Sequence, residues 1–228
     1  LITIRKIIDK LPRKRQNLLF SATMPREIRH LADEMLNEPH VIELAHNKPT
    51  DLIKQLIYPV HRKQKIKLLD HLLMHDDVER AIIFTRTKRG AKQLAQKLNR
   101  TPHRVMALQG NMSQSAREKV MQGFRSGKID VLVATDIAAR GIDVAAVTHV
   151  INYDAPDTAE AYTHRIGRTG RAECTGKSCT FITNDDRDLV KAVERKLKRK
   201  IEEVVLDDFI MFEGEDVRKL APRPPKAN

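Results

Sequence analysis

Aromatic side chains make up 4% of the 228 residues and tryptophan is absent, which leaves few rings for nucleic-acid bases to stack on. Two cysteines, Cys174 and Cys179, exclude a disulfide framework and a four-cysteine zinc site, so the expected setting is reducing and cytoplasmic. No stretch approaches the roughly 20 apolar residues of a membrane span, and the N-terminus has no signal-peptide core. A soluble chain with no membrane contact is the expectation. Internal repeats of solenoid length are absent too. The histidines at 30, 40, 46, 61, 71, 75, 103 and 149 show no metal-ligand spacing and read as ordinary surface or core residues.

What the chain does have is positive charge. Forty-two Lys and Arg stand against 30 Asp and Glu, a formal net charge of +12. Charge bears on partners rather than on fold, and this excess points to a polyanion, nucleic acid first. A hydrophobic content of 41% suffices for a packed core.

Short apolar, β-branched runs alternate with stretches of helical spacing. The pattern predicts strands at 17–20, 52–59, 80–85, 104–108, 130–134, 148–153 and 178–183. Helices are predicted at 2–11, 25–36, 63–75, 88–98, 113–125, 158–166 and 186–200. AIIF at 81–84 and VLVA at 131–134 are apolar on consecutive residues, as strands covered on both faces are. The expected fold is α/β, a mainly parallel sheet with helices on both faces. Asp157, three before Glu160, reads as a helix start, and Pro25 as the first residue of a helix. Residues 1–45 carry one strand between two helices and resemble the end of a preceding domain. A linker at 46–51, a body at 52–206 and a basic, proline-containing tail at 207–228, expected to be flexible, complete the organisation.

Two segments concentrate chemistry. HRIGRTGR at 164–171 sets Arg165, Arg168 and Arg171 at spacing three, expected to project together from a helix end, with Gly167 and Gly170 allowing sharp turns. Planar guanidinium groups suit bidentate phosphate recognition, although a solvated basic face has the same spacing. ATDIAARGID at 134–143 brings Thr135, Asp136, Arg140, Gly141 and Asp143 to the carboxyl end of a strand, where open α/β sheets bind ligands. Thr135 and Asp136 are equally readable as helix caps.

Together these segments resemble motifs V and VI of the DEAD-box RNA helicases of superfamily 2. Ser21-Ala22-Thr23 resembles motif III, the run Ile82 to Thr87 motif IV, and Gln109-Gly110 with Gln114 and Arg117 motif IVa, in the family's order. VINYD at 150–154 matches the strand between motifs V and VI. Within the family, the segment from Gln16 to Leu36 is most similar to the bacterial RhlE-type branch.

The resemblance implies a RecA-like fold. It also implies that the chain is the second of two such domains, preceded by a remnant of the first, because neither GxxxxGK[ST] nor a DEAD tetrad occurs here. It implies ATP with Mg2+ as cofactor, the metal ligands lying in the first domain. Arg168 and Arg171 would reach the γ-phosphate, Gly141 and Asp143 would meet the nucleotide, and His164 would bridge to the acidic motif. Arg86, Thr87, Lys88, Gly110, Gln114, Arg117 and Thr135 would hold the RNA backbone, so binding would be sequence-independent. Ser21, Thr23 and Arg140 would couple the domains. The expected partners are RNA and the first RecA-like domain. The chain alone is expected to be inactive, the complete parent an ATP-dependent RNA helicase. A stand-alone RNA-binding or regulatory module and a superfamily 2 DNA helicase remain the alternatives.

Overall fold

The computed structural model describes residues 2–12, 14–21, 24–42, 52–75, 78–139, 147–170, 175–206 and 209. Two compact units divide the chain, 1–46 and 47–228.

In the first unit, helices α1 (Ile2–Ile8) and α2 (Arg26–Met35) are joined by a bidentate pair from Arg5 Nε and Nη2 to the Glu34 carboxylate, both at 2.9 Å. Asn17 Nδ2 donates to the Met35 carbonyl at 2.7 Å, which ties the intervening segment to the end of α2. The strand expected at 17–20 does not form. No second strand lies beside it among the described residues of this unit, and Phe20 is 90% exposed. An apolar alternating run without a pairing partner has no ladder to join. Pro25 is the N-cap of α2 rather than its first residue.

Among its described residues the second unit holds seven strands: β1 (Ile53–Pro59), β2 (Ala81–Phe84), β3 (Val105–Leu108), β4 (Val131–Ala134), β5 (His149–Asn152), β6 (Gly176–Ile182) and β7 (Glu202–Glu203). Their order is β3-β4-β2-β5-β6-β1-β7, and every pairing is parallel. Parallel neighbours require crossovers, and the helices supply them: α3 (Lys65–His75), α4 (Lys88–Leu98), α5 (Gln114–Arg125), the short α6 (Asp136–Ala139), α7 (Ala159–Ile166) and α8 (Arg187–Leu197).

Side-chain alternation along each strand divides the core between two faces. Ala81 and Ile83 pack with Leu68, Leu69 and Leu72 of α3 and Ala91, Leu94 and Leu98 of α4. Ile82 and Phe84 face the other way, onto Val120 and Phe124 of α5 and Ala138 of α6. On that second face Ile53, Ile57 and Ile182 receive Tyr162 and Ile166 of α7 and Val190 and Val193 of α8. β2 and β4 are buried at every residue, as their unbroken apolar runs require. The sheet expected to be mainly parallel is wholly so among the described strands.

Local chemistry sets the helix starts. Thr87, Ser113 and Thr158 cap α4, α5 and α7 by accepting the N–H groups of Gly90, Ala116 and Ala161. The α7 cap is therefore Thr158, not Asp157; the aspartate instead faces Arg86 Nε at 3.6 Å. Cys179 is buried inside β6. Beyond residue 206 only Phe209 is described, its ring edge-on to His71 at 5.6 Å.

Candidate functional site

Because the sheet is parallel, the turns after β3, β4, β2 and β5 leave from one edge of four adjacent strands, the edge where such sheets bind ligands. After β2, buried Thr85 donates to the Thr87 carbonyl at 3.3 Å, and Thr87 Oγ1 accepts the Gly90 N–H at 3.0 Å. That cap leaves the Thr87 hydroxyl proton available to another acceptor. Arg86 and Lys88 are exposed on either side. The Arg86 N–H donates to Asp154 Oδ2 at 2.9 Å and its Nη2 to the Ala155 carbonyl at 3.4 Å.

After β3, a Cβ built on Gly110 would meet nothing within 4 Å. The fold itself makes no demand for glycine there. Gln114 opens α5 and donates to Glu118 at 2.8 Å, and Arg117 is half-buried one turn on. After β4, half-buried Thr135 accepts the Ala139 N–H through its carbonyl at 2.9 Å.

The row of three arginines resolves differently from its sequence spacing. Arg165 does not project: it is 3% exposed and points from α7 under the turn after β4. Its Nε and Nη2 donate to both oxygens of Asp136 at 2.6 and 2.8 Å. Its Nη1 donates to Asn152 Oδ1 at 3.2 Å and to the Asp154 carbonyl at 2.7 Å. The guanidinium also lies 5.0 Å from the Phe84 ring centre. A helix turning past an apolar sheet must bury one side, and residue 165 falls on the side of Tyr162 and Ile166. His164 stays exposed, and half-buried Arg168 donates from Nε to the His164 carbonyl at 3.3 Å.

Thr169 Oγ1 donates to the Val147 carbonyl, with a second contact to the Thr148 carbonyl at 3.3 Å. Gly170 takes φ +66°, the left-handed turn glycine permits, whereas Gly167 at φ −66° caps α7 without needing that freedom. The stretch that bears HRIGRTGR thus holds Asp136 inside ATDIAARGID through Arg165, and Val147, four residues beyond that motif, through Thr169. Thr23, Arg140, Gly141, Asp143, Arg171 and Cys174 lie outside the described residues; Ser21 is described and exposed in the first unit.

Burial tunes neighbouring groups. Lys65 Nζ donates to the Tyr153 carbonyl at 2.8 Å and faces Asp154 Oδ1 at 3.5 Å. Burial holds its pKa below the usual lysine range, against the opposing pull of Asp154 and Asp186. Tyr153 is pushed up to about 12 by burial and then by Asp154 and Asp70. Tyr162, buried under α7 with its hydroxyl donating to Gln55 Oε1 at 3.0 Å, is also raised to about 12 by burial.

Sequence reading missed Asp136 as partner of Arg165, and missed Asn152, Asp154 and Lys65. One signal was present: asparagine directly after the apolar pair Val150-Ile151 in HVIN, a strand buried throughout. Among the described residues no His, Cys, Asp and Glu group has the geometry of a metal site. The basic run 195–200 is largely spent on local partners, Lys196 on Glu160 and Lys200 on Glu194, both at 2.7 Å.

Residues 64–173 match the family model described as the helicase conserved C-terminal domain. The structure of Escherichia coli DEAD-box protein SrmB bound to regulator of ribonuclease activity A is similar at 35% identity and TM-score 0.64. That likeness covers 68% of this chain and 91% of the SrmB chain. This chain belongs to the DEAD-box family. It corresponds to the C-terminal helicase domain of DEAD-box RNA helicases, and its fold is RecA-like. Among DEAD-box relatives, RNA helicase CrhR of Synechocystis is 44% identical over 95% of this chain and 44% of its own length. DEAD-box ATP-dependent RNA helicase CshA of Geobacillus kaustophilus is 44% identical over 87% of this chain and 43% of its own. The chain therefore spans less than half the length of these relatives. Saccharomyces cerevisiae Dbp5 bound to RNA and ADP BeF3 shares 32% identity with a TM-score of 0.78, covering 91% of this chain and 55% of the Dbp5 chain.

Proposed function

We propose that the chain is the C-terminal half of an ATP-dependent RNA helicase. It grips one RNA strand by its backbone and presents guanidinium groups to the phosphates of ATP, and closure against a first RecA-like domain opens short duplexes locally. The observation that carries this reading is the bidentate pair of Arg165 with Asp136, which ties one phosphate-directed motif to the other, with Thr169 on the Val147 carbonyl as a further tie beyond the motif. Arg168 and Arg171 stabilise negative charge on the γ-phosphate, Gly141 and Asp143 meet the nucleotide, His164 bridges to the acidic motif of the first domain, and Arg140 with Ser21 and Thr23 of the first-domain remnant couples the two domains. Arg86, Thr87, Lys88, Gly110, Gln114, Arg117 and Thr135 take the sugar-phosphate backbone, which positions a strand without reading its bases. The open space at Gly110 supports close approach there.

When bound, ATP with Mg2+ supplies the phosphoanhydride bond and neutralises phosphate charge. Guanidinium chemistry suits phosphate oxygens, but no described carboxylate set fits the metal, and Asp136 is spent on Arg165. The metal ligands are assigned to the first domain. A cytoplasmic setting and the RhlE-type branch belong to the same proposal.

The purified chain should bind oligouridylate weakly and lose affinity as salt rises, and it should turn over no ATP. Fused to the first domain of a relative, it should gain RNA-stimulated turnover that Arg168→Ala reduces by about 10³-fold or more, the loss of an arginine finger, or at least about 4 kcal/mol of barrier. Turnover by the chain alone, or full turnover in the Arg168→Ala fusion, refutes the reading.

A further inference from the structure

The turn that leaves β5 touches both halves of the site. Asp154 uses every polar group it has. Its N–H donates to the Phe84 carbonyl at 3.1 Å, and its Oδ2 accepts the Arg86 N–H at 2.9 Å. Its Oδ1 faces Lys65 Nζ at 3.5 Å, and its carbonyl accepts Arg165 Nη1 at 2.7 Å. Two residues earlier Asn152 is fully buried; its Oδ1 accepts the same Arg165 Nη1 at 3.2 Å and its Nδ2 donates to Thr180 Oγ1 at 2.9 Å. One residue later the Ala155 carbonyl accepts Arg86 Nη2 at 3.4 Å. One short turn therefore holds the loop at Arg86 by its backbone and side chain, and helix α7 by the guanidinium of Arg165.

We infer that residues 152–155 form a positioning bridge between the RNA-contacting loop after β2 and the arginine-bearing helix α7, with Asp154 as its central positioning residue. The inference rests on the RNA and nucleotide roles proposed above. Three observations make the connection stiff. Lys65 donates to the Tyr153 carbonyl and lies 5.6 Å from that ring, which fixes the turn from α3. The Arg165 guanidinium rests on the ring of Phe84, the last residue before the RNA loop. Asn152 is locked to the neighbouring strand through Thr180. A shift of the Arg86 backbone must therefore move Asp154, and Asp154 carries the carbonyl that orients Arg165, which adjoins His164 and lies about one turn from Arg168.

The grip on the Arg86 side chain is looser, 3.4 Å to Ala155 and 3.6 Å to Asp157. A phosphate oxygen at charge-assisted hydrogen-bond distance is a better partner and would replace both. RNA binding is thereby read at the bridge as an exchange of partners on Arg86. Coupling of this kind is reciprocal: what RNA does to α7, α7 does to RNA affinity.

The test uses this whole chain with fluorescein-labelled oligouridylate. Affinity is read by anisotropy and the amides of 159–169 by hydrogen exchange. In the native chain RNA should slow exchange in α7 about threefold or more. Asp154→Ala, which removes the grip on Arg86 but keeps the carbonyl to Arg165, should abolish that slowing and weaken RNA about three- to tenfold, the worth of a lost hydrogen bond. Asp154→Asn, which keeps an oxygen for the Arg86 N–H, should restore most of both and keeps the test usable if the alanine variant folds poorly. Asn152→Ala, which leaves every contact to Arg86 in place, should weaken RNA as well. Arg86→Ala separates the two levels. If it weakens RNA while α7 exchange ignores RNA in the native chain, or ignores Asp154, the bridge alone is refuted. If Arg86→Ala leaves affinity unchanged, the RNA reading falls and the bridge with it.

Discussion

Asp136→Ala removes one side of the pair that fastens α7 to the turn after β4. The two partners are unequally placed: Arg165 is 3% exposed, the Asp136 side chain 46%. Deleting a fully buried partner costs about 3–5 kcal/mol because a charge is left without compensation. Here the loss is smaller on two counts. Arg165 keeps two of its four hydrogen bonds, to Asn152 and the Asp154 carbonyl, and the ring of Phe84. Water can also enter from the exposed side where the carboxylate was. We expect about 2–3 kcal/mol, a fall in Tm of about 5–10 °C for a unit of this size. Urea unfolding followed by far-UV circular dichroism measures it, with Asp188→Ala as the control. The Asp188–Lys191 pair is exposed on both sides and should contribute nothing measurable. A loss in Asp136→Ala no larger than in the control would refute the view that Arg165 depends on Asp136, whatever the hydrogen-bond geometry.

Gly176→Ala would bring a Cβ against Thr169 Oγ1, to within 2.7 Å of its Cγ2 and 2.8 Å of the Gly170 nitrogen; we expect about 2 kcal/mol or more of destabilisation, typical of overpacking against backbone, partly recovered by adding Thr169→Ala, by urea titration. The raised pKa of Tyr162 makes stability fall with alkali. Unfolded tyrosine ionises near 10 and the folded one near 12, so its contribution is complete below pH 10 and is lost as pH rises to about 12, at up to about 1.4 kcal/mol per pH unit. Tyr162→Phe should flatten that decline in an alkaline denaturation series while costing about 1 kcal/mol at neutral pH for the hydrogen bond to Gln55; an unchanged alkaline slope would contradict it. Asp157→Asn should tighten RNA binding about twofold at low salt by freeing Arg86, and anisotropy at two salt concentrations checks both the gain and its disappearance.

The sheet was legible because its strands are buried on both faces. AIIF, VLVA and HVIN leave no solvent-facing residue to blur the pattern, and α4 and α5 fall within one residue of the spans that their helical spacing predicts. The run at 17–20 has the same composition, yet a strand depends on a neighbour, which composition does not contain. Asp157 and Thr158 are both good caps; the backbone enters the helix at Thr158, whose hydroxyl takes the Ala161 N–H. The arginines at spacing three illustrate the main limit. Residues 165 and 168 differ in role because the sheet lies on one side of α7, and a spacing rule carries no information about which side that is. The polar bridge from Asp136 through Arg165 and Asn152 to Thr180 joins four elements distant in sequence, and no local pattern encodes such a meeting.

The order of the sheet also bears on how the chain is made. β1 is the first strand of the second unit to be synthesised, yet its partners are β6 and β7, the last two. Ile53 pairs with Gly176 and Leu56 with both Cys179 and Glu202, so about 120 residues must be added before β1 can close its first ladder. At ribosomal speeds of about 5–20 residues per second, that is a wait of roughly 6–25 s. Throughout it Ile53, Leu56, Ile57 and Tyr58, all buried in the finished unit, have no sheet to enter, while β2, β3 and β4 can already assemble around α4 and α5. The second unit should therefore grow from β2–β4 toward β6 and take up β1 late. Its first strand is the segment a nascent-chain chaperone would have longest to hold, and the one whose premature release would most readily seed aggregation.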